Sequence, residues 1–183
     1  MFERQPWMQR AGEYPRSDQE YFGLLVRSVF SAGLGPRVVE ARWAGLTAAF
    51  RGMVPLEVAG MDESDVMRLL SDPGVIRNRR KIEAAITDAR EFLVVIGQWG
   101  SFHAYLESLA AEQNFAGLVE ELSGRFAHLG PTSAALFLFS AGWREDRTAS
   151  PAEDGAESEP AKETGRRTSK RGKHAVAEVS SPV

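Results

Sequence analysis

Asp72-Pro73-Gly74-Val75-Ile76-Arg77-Asn78-Arg79-Arg80-Lys81-Ile82 joins a tight turn to a helix start, and its reading decides the fold. Upstream, the acidic run Asp62-Glu63-Ser64-Asp65 opens a short helix that Pro73-Gly74 ends, with the acids where a helix N-terminus favours negative charge. Downstream, Ile82, Ile86, Ala89, Leu93 and Ile96 recur at helical spacing until Gly97 and Gly100. A glycine turn exposes amide hydrogens and the helix start adds a positive dipole end, so Gly74 and Asn78 belong to a candidate phosphate-binding segment. Arg77, Arg79, Arg80 and Lys81 would add salt-dependent affinity without reading base sequence. A solvated helix face balanced by Asp62, Glu63, Asp65 and Glu83 accounts for the same charges equally well.

Working outward, the helical period continues on both sides. Tyr21, Phe22, Leu25 and Val29 form one apolar stripe, and Val38, Val39, Trp43, Leu46 and Phe50 the next. Beyond the long helix, Phe102, Tyr105, Leu106 and Leu109 mark another, followed by Leu118, Val119 and Leu122. The last apolar segment, 134–141, is continuous enough to be a buried central helix. It lies behind Gly130-Pro131-Thr132, a helix start in which Pro131 suits the first turn and Thr132 can cap; Gly130 and Thr132 are therefore a second candidate anion site. No alternating strand pattern competes, so the expected fold is all-α with about six to eight helices.

The chain has 183 residues and 43% apolar content, enough for one core. Large apolar side chains nearly vanish after Trp143. Residues 1–143 are expected to form a helical domain and 144–183 a disordered charged tail, acidic first and then basic, that cannot offset its ordering entropy. Cysteine is absent, which excludes disulfides, thiolate catalysis and Cys-ligated zinc. His103 and His128 lack partners at ligand spacing, so neither a metal nor a cofactor is expected. Without a signal-like apolar stretch or a run of about 18 apolar residues, the expectation is a cytoplasmic protein with no membrane contact. A formal charge of −3 gives no global attraction to nucleic acid, so DNA binding would rest on a local basic patch.

Three further segments then fall into a familiar order. Ser31-Ala32-Gly33-Leu34, Val66-Met67-Arg68-Leu69-Leu70 and the 74–82 stretch, followed by Leu129-Gly130-Pro131-Thr132, resemble in order and spacing the DNA-3-methyladenine glycosylase I family. Glu3-Arg4-Gln5-Pro6-Trp7 is similar to that family's opening. The resemblance implies a helix-hairpin-helix DNA glycosylase fold that extrudes an alkylated adenine from duplex DNA and hydrolyses its bond to deoxyribose. It also implies that residues 74–81 form the hairpin gripping phosphates, with double-stranded DNA as partner and the protein acting as a monomer.

The chain departs from that pattern at its chemistry. Ser28 stands where the family carries its pocket glutamate, so the catalytic residue is unknown. The base pocket must be rebuilt; Trp7, Tyr14, Ser28 and Phe30 are the candidates, although each aromatic is more often simply a core residue. Gln5 replaces the first cysteine of the family's zinc site. Two functions follow from these residues: a monofunctional DNA N-glycosylase for alkylated bases of the 3-methyladenine class in base excision repair, or a non-catalytic DNA-binding module that keeps the hairpin without the chemistry.

Overall fold

The computed structural model describes residues 2–145. Among them are nine α-helices and no strand, so the all-α expectation holds. The 144–183 tail lies outside the described residues except for Arg144 and Glu145.

The first helix, α1 (Asp18–Ser31), starts at Ser17, whose hydroxyl accepts the Glu20 amide, with Asp18 and Glu20 in the first turn. Every residue from Tyr21 to Ser31 is buried. This helix therefore runs through the middle of the molecule, not along its surface. Three of its buried residues are polar. Ser28 and Ser31 satisfy their hydroxyls on carbonyls one turn back, at Leu24 (2.9 Å) and Arg27 (2.7 Å); Arg27 is treated below.

Short helices α2 (Pro36–Glu40), α3 (Trp43–Ala49) and α4 (Pro55–Ala59) follow, two of them opened by a proline at the first turn. Next, α5 (Glu63–Ser71) begins with a capping box: the Asp62 side chain accepts from the backbone of Asp65, and Asp65 answers on the Asp62 amide. The long helix α6 (Arg79–Trp99) starts at Asn78, whose side chain accepts the Lys81 amide, and stops at Gly100 with φ +82°. Gly97 lies inside α6, so only the second of the two glycines terminates it; a lone exposed glycine does not break a helix already anchored by packing. Ser101 and Asn114 cap α7 (Phe102–Glu112) and α8 (Phe115–Arg125). The final helix, α9 (Pro131–Ser140), has Gly130 as its N-cap and no side-chain cap. Thr132 is therefore inside the first turn and does not cap it.

In packing, α1 lies against α6, α7 and α9, and α6 also against α4 and α5. Phe102 is fully buried where these meet. Its ring stacks on Phe92 at 4.4 Å and 5°, with Tyr21, Tyr105, Phe126 and Phe137 around it at 5.6–5.9 Å. Each fully buried aromatic of this kind contributes about 2 kcal/mol by transfer alone.

The N-terminal segment is clasped to the end of α9. Gln9 donates to the Ser140 carbonyl (2.8 Å) and Gly12 to the Gly142 carbonyl (3.0 Å), while the Tyr14 ring lies 5.0 Å from Trp143 and 4.7 Å from His103. This clasp does not offer the thiolate and imidazole set that a zinc site of the resembled family would need. Gln5 uses its amide on the Glu3 carbonyl, and among the described residues no cluster of three or more metal-ligating side chains exists.

Asp88 pins the loop between α8 and α9. Its carboxylate, 1% exposed, accepts the Ala127 amide at 2.6 Å, while the second oxygen has no partner among the described residues. Burial pushes its pKa up from 3.8 to about 7, against that hydrogen bond, and nearby Glu91 adds to the rise. The folded state thus holds a proton that the unfolded chain releases above pH 3.8. The stability from this proton is complete below that value and is lost as pH rises toward 7, by at most about 1.4 kcal/mol per pH unit. Asp88→Asn keeps the acceptor and removes the ionisation. It is expected to raise the melting temperature at pH 8 and to change little at pH 4; an equal shift at both pH values would contradict this account.

Candidate nucleic-acid and base-binding site

A cavity of about 440 Å³ opens beside α1, within the range of small-ligand sites. Glu20, Gly23, Leu24 and Arg27 line it from α1, at spacings of three, four and seven that place them on one helix face. Trp43 and Thr47, one turn apart, line it from α3, and Trp7 from the clasped N-terminal segment. Gly52 and Met53 complete the wall. They belong to three successive residues with left-handed backbone, Arg51 (φ +53°), Gly52 (+71°) and Met53 (+60°). The two non-glycine residues there cost about 1–2 kcal/mol each. Arg51 is held by both Asp65 oxygens at 3.1 Å, and Gln19 donates to the Gly52 carbonyl at 2.7 Å. Such strain is characteristic of binding sites held from several sides.

Of the four residues read from sequence as pocket candidates, only Trp7 lines this cavity. Tyr14 is stacked in the N-terminal clasp. Ser28 is fully buried with its hydroxyl on Leu24, and Phe30 is fully buried with its ring edge-on to Phe50 at 6.1 Å. Ser28, which the resemblance sets against the family's glutamate, thus faces the interior of this chain. Glu20 is the carboxylate among the cavity's lining residues; its Oε2 accepts the Arg16 amide at 2.8 Å. Arg27 and Trp43 went unrecognised as site residues. The spacing of Glu20 and Arg27 on one face was a usable signal, whereas Trp43 sits on an apolar stripe and reads as core.

The basic turn is next to this cavity, joined to it by α3. The Arg42 guanidinium donates to the Pro73 carbonyl at 2.9 Å. Gly45 packs so tightly on Gly74 that a Cβ there would meet the Gly74 oxygen at 2.7 Å. One side of α3 therefore carries Trp43 and Thr47 into the cavity wall, and another seats residues 72–74.

Within that turn the cations divide. Arg79 is clamped between Glu63 (2.6 Å) and Glu83 (2.7 Å). Lys81 is 8% exposed and donates to the carbonyls of Phe30, at 2.8 Å, and Ala32 at the end of α1. Burial lowers its pKa. The Gly74 amide is donated to the Asp72 side chain at 2.7 Å, and Asn78 is occupied as the α6 cap. Arg77 and Arg80 are exposed and have no carboxylate partner among the described residues. At the second candidate anion site, Gly130 and Thr132 are exposed at the uncapped N-terminus of α9.

An all-α bundle with an indole-walled cavity seated beside a cationic turn has the architecture of the helix-hairpin-helix DNA glycosylase class. Residues 7–137 match the methyladenine glycosylase family, and the chain belongs to that family. The resemblance carried by residues 31–34, 66–82 and 129–132 is thereby confirmed. DNA-3-methyladenine glycosylase 1 of Escherichia coli (strain K12) is 38% identical over 80 residues, which are 43% of each protein, so the aligned part spans under half of that relative. A crystal structure of 3-methyladenine DNA glycosylase I superimposes with a TM-score of 0.65 at 25% identity, covering 76% of this chain and 93% of that one. The Staphylococcus aureus 3-methyladenine DNA glycosylase I, at 24% identity and a TM-score of 0.66 over 76% of this chain and 87% of that one, shares the fold.

Proposed function

We propose that the protein is a monofunctional DNA N-glycosylase that releases alkylated bases of the 3-methyladenine class from duplex DNA. The observation that carries this reading is the cavity lined by Trp7, Arg27 and Trp43, joined through α3 to the turn bearing Arg77 and Arg80. An extruded base needs aromatic walls and a desolvated slot, and the flanking phosphates need cations beside it. Gly130 and Thr132, at the start of α9, offer a second phosphate contact.

In the reaction the bond from the base nitrogen to the sugar C1′ breaks, and its electron pair leaves with the base. A water oxygen bonds to C1′ and gives up a proton. An alkylated purine carries positive charge and departs neutral, so the demand on a general acid is small. We assign to Glu20, which lines the cavity, the orienting of that water and the uptake of its proton.

One observation favours the second reading, a DNA-binding module without chemistry: the buried Ser28 supplies no acid where the resembled family has one. Methylpurine release by the wild type separates the two, and Glu20→Gln tests the role of the carboxylate. A glycosylase is expected to lose about a hundredfold in methylpurine release with its DNA affinity unchanged. Release that survives the substitution intact removes Glu20 from the mechanism; salt-sensitive DNA binding with no release by the wild type supports the module.

A further inference from the structure

Arg27 is held against the faces of both indoles in the cavity wall. Its guanidinium carbon lies 4.3 Å from the Trp7 ring centroid and 4.1 Å from that of Trp43. The residue is 7% exposed, and its Nη1 donates to Glu40 Oε2 at 2.5 Å. Burial lowers its pKa to about 10, against the pull of Glu40, so it stays charged at neutral pH. Two aromatic faces and a carboxylate around one planar cation make a cage of the kind that recognises cationic ligands. Here the chain supplies the occupant itself. Three features make that occupant exchangeable. Arg27 lines the open cavity, so its side chain has room to withdraw. The Glu40 side chain is 46% exposed, so water reaches one end of the pair and weakens it, and Glu40 forms no other ion pair among the described residues. The two indoles come from separate parts of the chain, Trp7 from the N-terminal segment and Trp43 from α3, so no single element braces the cage shut.

We propose that Trp7, Trp43 and Glu40 form a cage for a planar cation, that Arg27 fills it in the free protein, and that an alkylated purine extruded from DNA enters in exchange for Arg27. This rests on the proposed glycosylase function and deepens it. An N3-methylated purine is, like a guanidinium, flat with delocalised positive charge, so the exchange replaces one cation with another and leaves Glu40 compensated. An undamaged base is neutral. It would displace Arg27 while leaving the carboxylate without a counter-charge, so a normal base must pass a threshold that it has no interaction to offset. The two roles are separable. Arg27 weakens every ligand of the cage by the same factor, whereas the indoles and Glu40 set the preference among ligands.

The test uses the full chain and the quenching of its tryptophan fluorescence by two nucleosides at neutral pH: 1-methyladenosine, a planar purine cation, and adenosine, which is neutral. The wild type is expected to bind the cation about tenfold more tightly. Arg27→Ala empties the cage and is expected to tighten both ligands by about tenfold with that ratio kept. Adding Glu40→Gln to Arg27→Ala is expected to lower the ratio by about threefold. Affinities that Arg27→Ala leaves unchanged or weakens in a folded variant, equal binding of the two nucleosides, or a ratio that Glu40→Gln does not move overturns the inference. If Arg27→Ala does not fold, Arg27→Lys decides, because an ammonium keeps the charge beside Glu40 but cannot lie flat on the indoles. It is expected to tighten both ligands by about threefold, and no tightening overturns the inference. Nucleoside binding that follows this pattern without methylpurine release from DNA upholds the inference and defeats the glycosylase reading; release by a wild type whose ligand affinities do not depend on Arg27 does the reverse.

Discussion

Gly142→Ala is expected to destabilise the protein by about 3 kcal/mol or more, combining the left-handed backbone cost with overpacking. Gly142 adopts φ +91°, and a Cβ there would fall on the Glu13 carbonyl oxygen and within 2.8 Å of that of Arg10. Both belong to the N-terminal segment, which can yield only by lifting off α9. That segment carries Trp7, so the substitution should disturb the cavity as well as the melting temperature. Gly97→Ala is the control. Gly97 lies exposed within α6 with open space around it, and the change is expected to be neutral or stabilising by about 0.5–1 kcal/mol. Urea titration of both variants, followed by tryptophan fluorescence, checks the pair; similar midpoints would show that the clasp is not under the constraint described.

Lys81→Met is expected to cost about 3 kcal/mol of stability while leaving the salt dependence of DNA binding unchanged. Two carbonyls at the end of α1 lose a charged donor, each such hydrogen bond contributing about 1.5–3 kcal/mol. Arg77 and Arg80 behave in the opposite way. Replacing both with Ala is expected to leave the midpoint within about 0.5 kcal/mol and to reduce the slope of log affinity against log salt by about two. A shallower salt slope in Lys81→Met would mean that its ammonium reaches phosphate after all.

Much of the fold was legible because caps and periodicity are local. Ser17, Asp62, Asn78 and Ser101 cap helices with side chains that bond two or three residues ahead, and such contacts need no knowledge of tertiary structure. The site was less legible because its chemistry depends on which face each helix turns inward. Arg79 and Lys81 look alike in sequence, two residues apart. One meets carboxylates from α5 and its own helix, and the other reaches carbonyls of α1 some fifty positions away. Arg27 was hidden for the same reason. A charged residue on an apolar helix reads as a surface position, and only the approach of Trp7 and Trp43 from distant segments makes it a buried cation. Phe30 was misplaced by the converse argument, since an aromatic near a family motif is as well suited to the core as to a pocket.

The measurement that bears most directly on the account is single-turnover incubation of the full chain, in molar excess, with a methylated DNA duplex, counting free methylpurines against newly formed abasic sites. The account predicts release well above the spontaneous rate, with one abasic site for each base freed and no strand cleavage. DNA that is bound in a salt-sensitive manner but loses no base beyond the spontaneous rate would contradict it.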